Sequence, residues 1–427
     1  MTMKTGMNDL WEIVVIGGGP AGMMAAGRAA ELGHAVLLLE KNPALGKKLL
    51  LTGGGRCNLT NYVPEIDTML AHYQGNERFL FSAFAQFGAQ GTLDFFHRRG
   101  MATKEEAEGR VFPLSNKAQS VLDVLSLYLR EGQVEVRTGA TVTGLSVVAG
   151  TGRIDIWLGG GKKIRTRSCI VATGGTACPQ TGSSGEGLRW LKGIGHTVIA
   201  SKEALAPVAL KDKWVSQVAG VTLKDIKMTV FQNGKKRGAQ RGDLLFTHFG
   251  VSGPTILNMS KEIGEWRQGG EVVIALDLFP QLDHGALKQE LQALLVGESN
   301  KKLKTLISRL VPAALVSVIL DLTQLEGEMP SHSVRREDRI KILELMKAIP
   351  LHVEGILDAE SAAYSSGGIA PGEVNFKTMQ SRLAPNLFLV GDVLDIDRPS
   401  GGYSLQLCWT TGFVAGSHIE RSSRCLP

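Results

Sequence analysis

A glycine-rich turn followed at a fixed distance by an acid is the first chemical signal in the sequence. An apolar run leads into Gly17-x-Gly19-x-x-Gly22, and a second apolar run ends at Glu40. Gly17 allows a strand to turn sharply, Gly19 lets the backbone approach a pyrophosphate, and Gly22 lets helix and strand pack closely. The helix that opens near Ala21 offers free amides to phosphate, and Glu40 can accept hydrogen bonds from an adenosine ribose. The pattern predicts dinucleotide binding, with a glycine-rich turn that binds nothing as the alternative.

Three later turns favour FAD over NAD. A short apolar strand ends in Gly391-Asp392, where an aspartate can bind a ribityl hydroxyl or lie on the pyrophosphate side. Gly401 and Gly402 open a helix whose positive N-terminal dipole suits the negative charge that reduction places on the flavin pyrimidine ring. The Thr173-Gly174 turn adds a third close approach. Each alone can be only a tight turn, but their order along the chain predicts FAD.

A second dinucleotide fingerprint is missing. The segment 181–187 is rich in glycine but lacks a preceding apolar strand and a following acid, so we interpret it as a loop. We therefore expect NAD(P)H to act as a transient reductant that binds without a Rossmann domain of its own.

Composition narrows the class of protein. Of 427 residues, 43% are hydrophobic and 21% charged, as in a globular protein, and the net charge is +6. The basic pairs are spread along the chain, which suits anionic ligands but does not itself indicate nucleic-acid binding. Five cysteines without a CxxC pair predict reduced thiols and no metal site. No signal peptide or membrane span is visible, so we expect a cytoplasmic protein.

Hydrophobic periodicity predicts an α/β domain. Buried parallel strands are expected at 12–16 and 35–39, another buried strand in the segment 169–175 that ends at a glycine pair, and a short apolar strand at 387–390. A β-meander is expected at 134–137, 141–148 and 154–158. Helices are expected at 76–99, at 115–131 with Ser115 as its cap, and at 402–419.

The pattern changes between residues 196 and 354. Strands are expected at 208–211, 227–231 and 271–278, with a hairpin turn at Asn233-Gly234, and helices at 284–296, 300–320 and 334–348. We expect a discontinuous FAD-binding domain of residues 1–195 and 355–427. Residues 196–354 would form an inserted domain, β-rich at about 196–280 and helical at about 281–350.

Long motifs resemble one family of flavoproteins. The stretch 46–61, the stretch 245–254 and the segments 391–397 and 401–406 resemble the BaiN-like flavoproteins, which include flavin-dependent dehydro-bile-acid reductases. The resemblance covers nearly the whole chain. It implies a FAD-binding Rossmann domain of glutathione-reductase type, interrupted by an insert with a β-barrel-like part and a helical part.

The chain also departs from that family's pattern. Ser404 stands where the family commonly has Asn, Asp392 where it often has Glu, and Cys408-Trp409 where it often has Trp-Ala-Trp. These positions line the expected substrate side, so a bile-acid substrate does not follow from the resemblance.

Further cofactor contacts are expected from loops near these motifs. The glycines of the 53–58 loop would let backbone amides approach the flavin. Lys41 and Lys47 can contact the adenine ribose or the phosphates, or face solvent, and Val142 is a candidate backbone contact to adenine. The residues added on these grounds are Lys41, Lys47, Gly53, Gly54, Asn58 and Val142.

Four residues are candidates for the chemistry. Arg56 can neutralise reduced flavin or a carbonyl substrate, or can pair with a carboxylate instead. Cys57 has no resolving cysteine nearby, which favours a packed thiol over a dithiol redox role. His248 and Tyr403 can each donate a proton, with a structural hydrogen-bonding role as the alternative.

These residues predict an FAD-dependent oxidoreductase. The leading hypothesis is NAD(P)H-driven reduction of an activated double bond or carbonyl in a small organic substrate, by hydride transfer through flavin N5. The alternatives are an oxidase of a small amine and a flavoprotein that acts on RNA. Because the insert carries no RNA-binding signature, we expect a small-molecule partner, no nucleic acid and no membrane. The sequence leaves substrate identity and oligomeric state open.

Overall fold

The structure is a computed structural model that describes residues 10–73, 75–199, 203–204, 206–357, 364–365 and 367–420. The chain divides into two compact units, residues 1–202 with 363–427 and residues 203–362. The boundary expected between residues 354 and 355 falls inside the strand Ile349–Ile356. Each unit is described by itself below.

A mainly parallel sheet runs through the first unit. Side chains on both faces of its strands are buried, with no exposure at Ile13, Val14, Leu37 or Leu38, which explains the unbroken apolar runs. The buried strands predicted at 12–16 and 35–39 are confirmed. In spatial order the parallel strands are Glu135–Arg137, Val36–Leu39, Leu10–Ile16, Lys163–Val171 and Leu387–Leu389, with Gln380–Ser381 and Val374–Asn375 added antiparallel.

Antiparallel strands extend this sheet. The strands predicted at 141–148 and 154–158 are confirmed as Val142–Val147 and Ile154–Leu158, which pair antiparallel. The meander predicted to include 134–137 is wrong there, because Glu135–Arg137 pairs parallel with Val36–Leu39, and the third meander strand is Lys163–Val171, which is shared with the parallel sheet. Smaller antiparallel sheets join Thr60–Asn61, Arg110–Pro113 and Thr103–Glu106, and Val198–Ile199 with Gly368–Ile369.

The helices of the first unit correct two expectations. The single helix predicted at 76–99 is wrong, because Phe87 and Gly88 leave the helical region and divide it into two. Ser115 accepts a hydrogen bond from the Lys117 amide but does not cap the next helix, which begins at Ala118. The helices are Pro20–Glu31, Ile66–Leu70, Glu77–Gln86, Ala89–Arg98, Ala118–Glu131, Glu186–Ile194 and Tyr403–Ser417. Short 3-10 turns cover Leu49–Gly55, Ala107–Gly109, Gly159–Gly161, Pro179–Thr181, Pro371–Glu373 and Gly391–Val393.

Small residues allow the first helix, Pro20–Glu31, and the last helix, Tyr403–Ser417, to pack closely. A Cβ atom on Gly412 would lie 2.5 Å from the Ala21 carbonyl oxygen. One on Gly416 would lie 2.5 Å from the carbonyl oxygen of Ala25. These contacts join the N-terminal and C-terminal segments of the unit.

A closed antiparallel barrel forms the sheet of the second unit, as the resemblance implies. Neighbouring strands around it are Val208–Leu210, Gly250–Ser252, Lys235–Phe246, Thr222–Gln232, Val272–Asp277 and Ile349–Ile356, which pairs back to the first. The hairpin turn at Asn233-Gly234 is confirmed, with φ of +47° and +75°. The helices of this unit are Pro254–Gln268, His284–Gly297, Leu303–Ile307, Ala313–Thr323 and Arg336–Lys347, with 3-10 turns at Lys213–Val218 and Ser331–Ser333.

Two expectations for the second unit are corrected. The single helix predicted at 300–320 is wrong, because Pro312 adopts an extended backbone and separates two shorter helices. The helix Pro254–Gln268 lies within the part expected to be β-rich, and its signal was Gly253-Pro254, a proline at the first helical position.

We predict that Gly412→Ala destabilises the protein, because the new methyl group overlaps the Ala21 carbonyl oxygen at 2.5 Å. Overpacking of this kind costs about 1–3 kcal/mol, to be measured as a lowered free energy of unfolding in urea. Gly193→Ala is the matched control, since a Cβ atom there meets nothing within 4 Å in the helix Glu186–Ile194. It should be neutral or slightly stabilising. Equal effects of the two substitutions would contradict the close packing.

Candidate functional site

A cleft opens at the carboxyl ends of the parallel strands of the first unit. Gly17, Glu40, Ala172 and Val390 each follow the end of a different strand, and all four line it. It encloses about 830 Å³ of empty space, a volume that includes open solvent at its mouth. The carboxyl edge of a parallel sheet is where doubly wound folds bind ligands. We call it the strand-end cleft.

The three fingerprint glycines are required for different reasons. Gly17 has φ of +108°, and a Cβ atom on it would lie 2.4 Å from the Ala172 carbonyl oxygen. A Cβ atom on Gly22 would lie 1.9 Å from the carbonyl oxygen of Gly17. On Gly19, which caps the first helix, it would meet nothing within 4 Å. Gly17 and Gly22 therefore serve the fold, whereas Gly19 keeps open the approach to the helix amides beside Ala21.

The Glu40 carboxylate holds the glycine turn in place through hydrogen bonds to neighbouring backbone and side-chain nitrogens. Its Oε2 accepts the Gly18 amide at 2.7 Å, and its Oε1 accepts the backbone and side-chain nitrogens of Asn42, both at 2.7 Å. The residue is buried, at 8% exposure. Since each carboxylate oxygen has two acceptor sites, Oε2 retains one for a ribose hydroxyl.

Lysines on the cleft wall are already engaged within the protein. Lys41 Nζ lies 2.8 Å from both Ser184 Oγ and Glu186 Oε2. Lys47 donates to the Gln180 carbonyl oxygen at 2.6 Å. Both residues line the cleft, as does Val142, so their expected contacts with the adenosine part of a cofactor stay predictions.

Two buried polar atoms near the expected flavin contacts have no hydrogen-bond partner among the residues that the structure describes. They are Thr173 Oγ1 and Asn58 Oδ1. Buried polar groups are normally satisfied, and Thr173 lines the cleft, so a bound group can complete its hydrogen bonding there, whereas Asn58 does not line the cleft and its contact with a cofactor stays a prediction. Gly174, beside Thr173, has φ of +75°, which leaves the backbone of this turn close to the cleft.

Asp392 follows Gly391, which has φ of +67°, and makes two ion pairs. One carboxylate oxygen contacts Arg398 Nη2, and Lys48 Nζ lies 3.4 Å from the other. Burial alone would raise the pKa of Asp392, but the charges of Arg398 and Lys48 outweigh it and hold that pKa below its ordinary value. Sequence reasoning missed both cations, because nothing local marks them as partners of Asp392.

The segment 58–61 is fastened to the start of the last helix. The side chain of Asn61 donates to the Gly401 carbonyl oxygen at 3.2 Å, and Thr60 Oγ1 lies 2.6 Å from Gln406 Oε1. Gly402 has φ of +104°, and a Cβ atom on it would lie 2.3 Å from the Thr60 backbone. The segment 58–61 and the helix start at Gly401-Gly402 are therefore in direct contact, but neither lines the strand-end cleft, so their expected contacts with flavin stay predictions.

Arg56, just before that segment, is half-buried and already paired within the protein. Its guanidinium contacts Glu106 and the Asn116 side chain, and it lies over the Phe112 ring, 4.0 Å from the centroid. Its hydrogen bond lowers the pKa of Glu106 to about 2. The carboxylate-paired alternative matches this geometry, while a catalytic role for Arg56 stays a prediction. Gly53 and Gly54, with φ of +57° and +66°, form the adjoining exposed turn.

Cys57 lies in the core with no exposed surface and φ of +62°. Burial raises the pKa of its thiol to about 12, and a hydrogen bond with Thr52 offsets only part of that effect. A thiol that stays protonated at neutral pH is a poor nucleophile, so this position does not favour the redox role.

Tyr403 occupies the first turn of the last helix. Its ring is 4.5 Å from that of His72, and the Tyr73 hydroxyl donates to its carbonyl oxygen at 2.9 Å. Burial raises the pKa of Tyr403 to about 12, so the phenol carries its proton at neutral pH.

His248 belongs to the second unit. It is exposed on a turn closed by a hydrogen bond from the Thr247 amide to the Gly250 carbonyl oxygen at 2.8 Å. Its role as a proton donor therefore stays a prediction.

The described residues contain neither a clustered metal-binding site nor a membrane-spanning helix. No group of three or more His, Cys, Asp or Glu side chains among them is arranged to hold a metal ion. Within the same part of the chain, no helix has the length and apolar character needed to cross a membrane.

The model of the HI0933-like protein Rossmann domain matches residues 11–418. The chain belongs to this family. It is 30% identical to a 3-dehydro-bile acid delta(4,6)-reductase of Clostridium scindens, over 95% of this chain and 98% of that protein. The predicted resemblance to the BaiN-like flavoproteins is thereby confirmed, and the chain is an FAD-dependent oxidoreductase.

Two further similarities extend the comparison. A ribosomal RNA dihydrouridine synthase of Escherichia coli is 28% identical over 96% of this chain and 98% of that protein. The solved structure of 3-ketosteroid delta1-dehydrogenase from Sterolibacterium denitrificans has a TM-score of 0.54 at 13% identity, over 96% of this chain and 99% of that one. At that identity the structural likeness shows the fold alone.

We predict that Gly19→Ala weakens FAD binding without unfolding the protein. The methyl group meets no protein atom within 4 Å, and the φ of −82° is open to alanine, but the group occupies the approach to the helix amides. We expect the Kd for FAD, measured by titrating apoprotein, to rise at least about tenfold, while the Tm moves by no more than a few degrees. Unchanged affinity would show that the diphosphate does not approach at Gly19.

Proposed function

We propose that this protein reduces a carbon–carbon double bond conjugated to a carbonyl group in a small organic substrate, with NAD(P)H as the electron source. The observation that carries the proposal is the similarity to a 3-dehydro-bile acid reductase over nearly the full length of both chains. The name of the dihydrouridine synthase relative also refers to a product in which a double bond of the uracil ring has been reduced. A conjugated carbonyl polarises such a double bond and makes its β-carbon electrophilic, so that this carbon can accept hydride.

The strand-end cleft fits FAD, which supplies hydride transfer when bound. Glu40 offers its remaining acceptor to a ribose hydroxyl, and the first-helix amides beside Ala21 suit the diphosphate. Asp392 offers acceptors on the other side of the cleft. The helix that begins after Gly401 and Gly402 points a positive dipole end towards the segment 58–61 and supports a negatively charged ring system there.

Tyr403 is the proton donor that the geometry of the first unit favours. Its phenol stays protonated because burial raises the pKa to about 12, and it sits in the first turn of the last helix. Arg56 is occupied by Glu106, and Cys57 is sealed in the core, so neither is as well placed to deliver a proton.

We predict that either NADH or NADPH bleaches the visible absorbance of the bound flavin under anaerobic conditions. A conjugated enone such as cyclohexenone or a 4-ene-3-ketosteroid should then restore the colour. Tyr403→Phe should slow the return of colour about 100-fold, since a positioned acid contributes about 10²–10⁴, while bleaching by the nicotinamide stays unchanged.

Tyr128→Phe is the matched control for loss of a buried phenol, because the Tyr128 hydroxyl is bonded to Glu31 and the residue lies in the helix Ala118–Glu131, not at the start of the last helix. Bleaching by a small amine alone would replace the proposal with the amine-oxidase alternative. Failure of every enone to restore colour would reject the reductase reaction and leave FAD binding intact.

A second candidate is reduction of a base within RNA, favoured by one surface of the second unit. Exposed cations on the hairpin of strands Thr222–Gln232 and Lys235–Phe246 lack ion-pair partners anywhere in the described ranges. They are Lys224, Lys227, Lys235, Lys236 and Arg237, and we call them the basic hairpin. By contrast, Lys301, Lys302 and Lys304 are paired with Glu298 and Glu328. Unpaired clustered cations are suited to a phosphate backbone.

We predict, for this second candidate, that ribosomal RNA fragments bind the basic hairpin in a salt-dependent way. Changing Lys235, Lys236 and Arg237 together to Gln should weaken binding about tenfold near physiological salt and reduce the salt slope by about 2. The same change at Lys301, Lys302 and Lys304 is the control and should have little effect. If the unaltered protein retains no RNA near physiological salt, this candidate is rejected.

A further inference from the structure

Arg398 is a buried arginine that connects Asp392, which lines the strand-end cleft, to Ile396 and Ser404. It is 4% exposed. Nη2 contacts Asp392 Oδ1, Nη1 donates to the Ile396 carbonyl oxygen at 2.6 Å, and Nε donates to Ser404 Oγ at 3.0 Å. Asp392 follows the last parallel strand, and Ser404 lies in the first turn of the last helix. One planar side chain thus connects the two elements expected at the flavin.

The partners of Arg398 are two of the positions at which this chain departs from the family's pattern. Asp392 stands where Glu is frequent, and Ser404 where Asn is common. Both departures shorten the side chain. The guanidinium lies between these two shortened side chains and bonds to each of them. The three residues therefore form one unit.

Two cations hold the Asp392 carboxylate. Arg398 and Lys48 both contact it, and the Cys408 thiol beside it is neutral because burial raises its pKa to about 12. A buried pair that loses one partner leaves an uncompensated charge, and a lysine cannot reproduce the planar fork of an arginine.

We propose that Arg398 is a positioning residue for the cofactor, which holds the Asp392 carboxylate and the first turn of the last helix at a fixed spacing so that both contact bound FAD. The proposal rests on FAD as the occupant of the cleft and is independent of the substrate reaction. Arg398 acts through Asp392 and Ser404 and does not need to touch the cofactor.

A double-mutant cycle on FAD affinity tests this role. Arg398→Met should raise the Kd for FAD at least about tenfold, because Asp392 and the helix turn lose their common tie. In an Asp392→Asn background the same change should raise the Kd less than about threefold, since the group through which Arg398 acts is already altered. Arg398→Lys should give an intermediate Kd, and the visible circular dichroism of bound FAD should change in both Arg398 variants.

Arg165→Met is the matched control for loss of an arginine–aspartate pair. Arg165 makes a two-point contact with Asp155 in the meander, and neither residue lines the cleft. This variant should lower stability and leave FAD affinity and dichroism unchanged.

Other outcomes overturn the proposal. A Kd for Arg398→Met within twofold of the unaltered protein would mean that the arginine is only structural. Equal fold-changes with and without the Asp392→Asn substitution would mean that it acts independently of Asp392. Should Arg398→Met fail to fold, the same cycle with Arg398→Lys decides the question. A protein that binds FAD normally but reduces no enone would leave this result standing.

Discussion

The cleft depends on close contacts between backbone atoms that only glycine permits, because a Cβ atom at these positions would overlap a carbonyl oxygen. Gly17 lies against the carbonyl oxygen of Ala172, Gly22 against that of Gly17, and Gly412 against that of Ala21, with added Cβ atoms at 2.4, 1.9 and 2.5 Å. These contacts lock together the first strand and helix, the turn after Lys163–Val171, and the last helix. Because the second unit lies between two of these segments in sequence, the contacts reunite parts of the site that are far apart along the chain.

The two carboxylates of the cleft have different electrostatic surroundings. Glu40 accepts hydrogen bonds from the uncharged nitrogens of Gly18 and Asn42, whereas Asp392 is held by two cations. The strands that precede them are separated in the sheet by Leu10–Ile16 and Lys163–Val171. Three spacings of about 4.8 Å place these two strands about 14 Å apart. Both sides of the cleft therefore present a carboxylate that can accept a hydrogen bond from a hydroxyl group, one held by neutral donors and the other by two cations. An elongated cofactor with hydroxyl groups on either side of its phosphates matches that arrangement.

Local signals predicted the parts of the fold that local physics decides. The fingerprint glycines, the apolar strands and the Asn233-Gly234 turn each depend on a few neighbouring residues, and the structure has them where the sequence places them. The helices predicted at 76–99 and 300–320 failed because apolar periodicity continued across Gly88 and Pro312, where the backbone leaves the helix. At both places the helix-breaking residue, not the apolar periodicity, determines where the helix ends.

Partner choice within the site was beyond the reach of sequence patterns. Arg398 and Lys48 meet at Asp392 although Lys48 is more than three hundred residues from it in sequence. The sequence allows Arg56 either a catalytic role or a carboxylate partner, but no nearby residue indicates that this partner is Glu106. Such pairings depend on how distant segments pack, and a spacing rule contains no information about that.

Burial raises the pKa values of three cysteine thiols in the first unit and keeps them protonated. Cys57 and Cys408 have pKa values raised to about 12, and burial raises that of Cys169 still further, while Cys425 lies outside the described residues. Cys408 lines the cleft beside Gly391, where the negative charge of Asp392 adds to the effect of burial. A thiol that keeps its proton neither attacks a substrate nor exchanges with a disulfide at neutral pH. The buried cysteines Cys57, Cys169 and Cys408 therefore offer no thiolate for the redox chemistry, which in an FAD-dependent oxidoreductase takes place on the flavin.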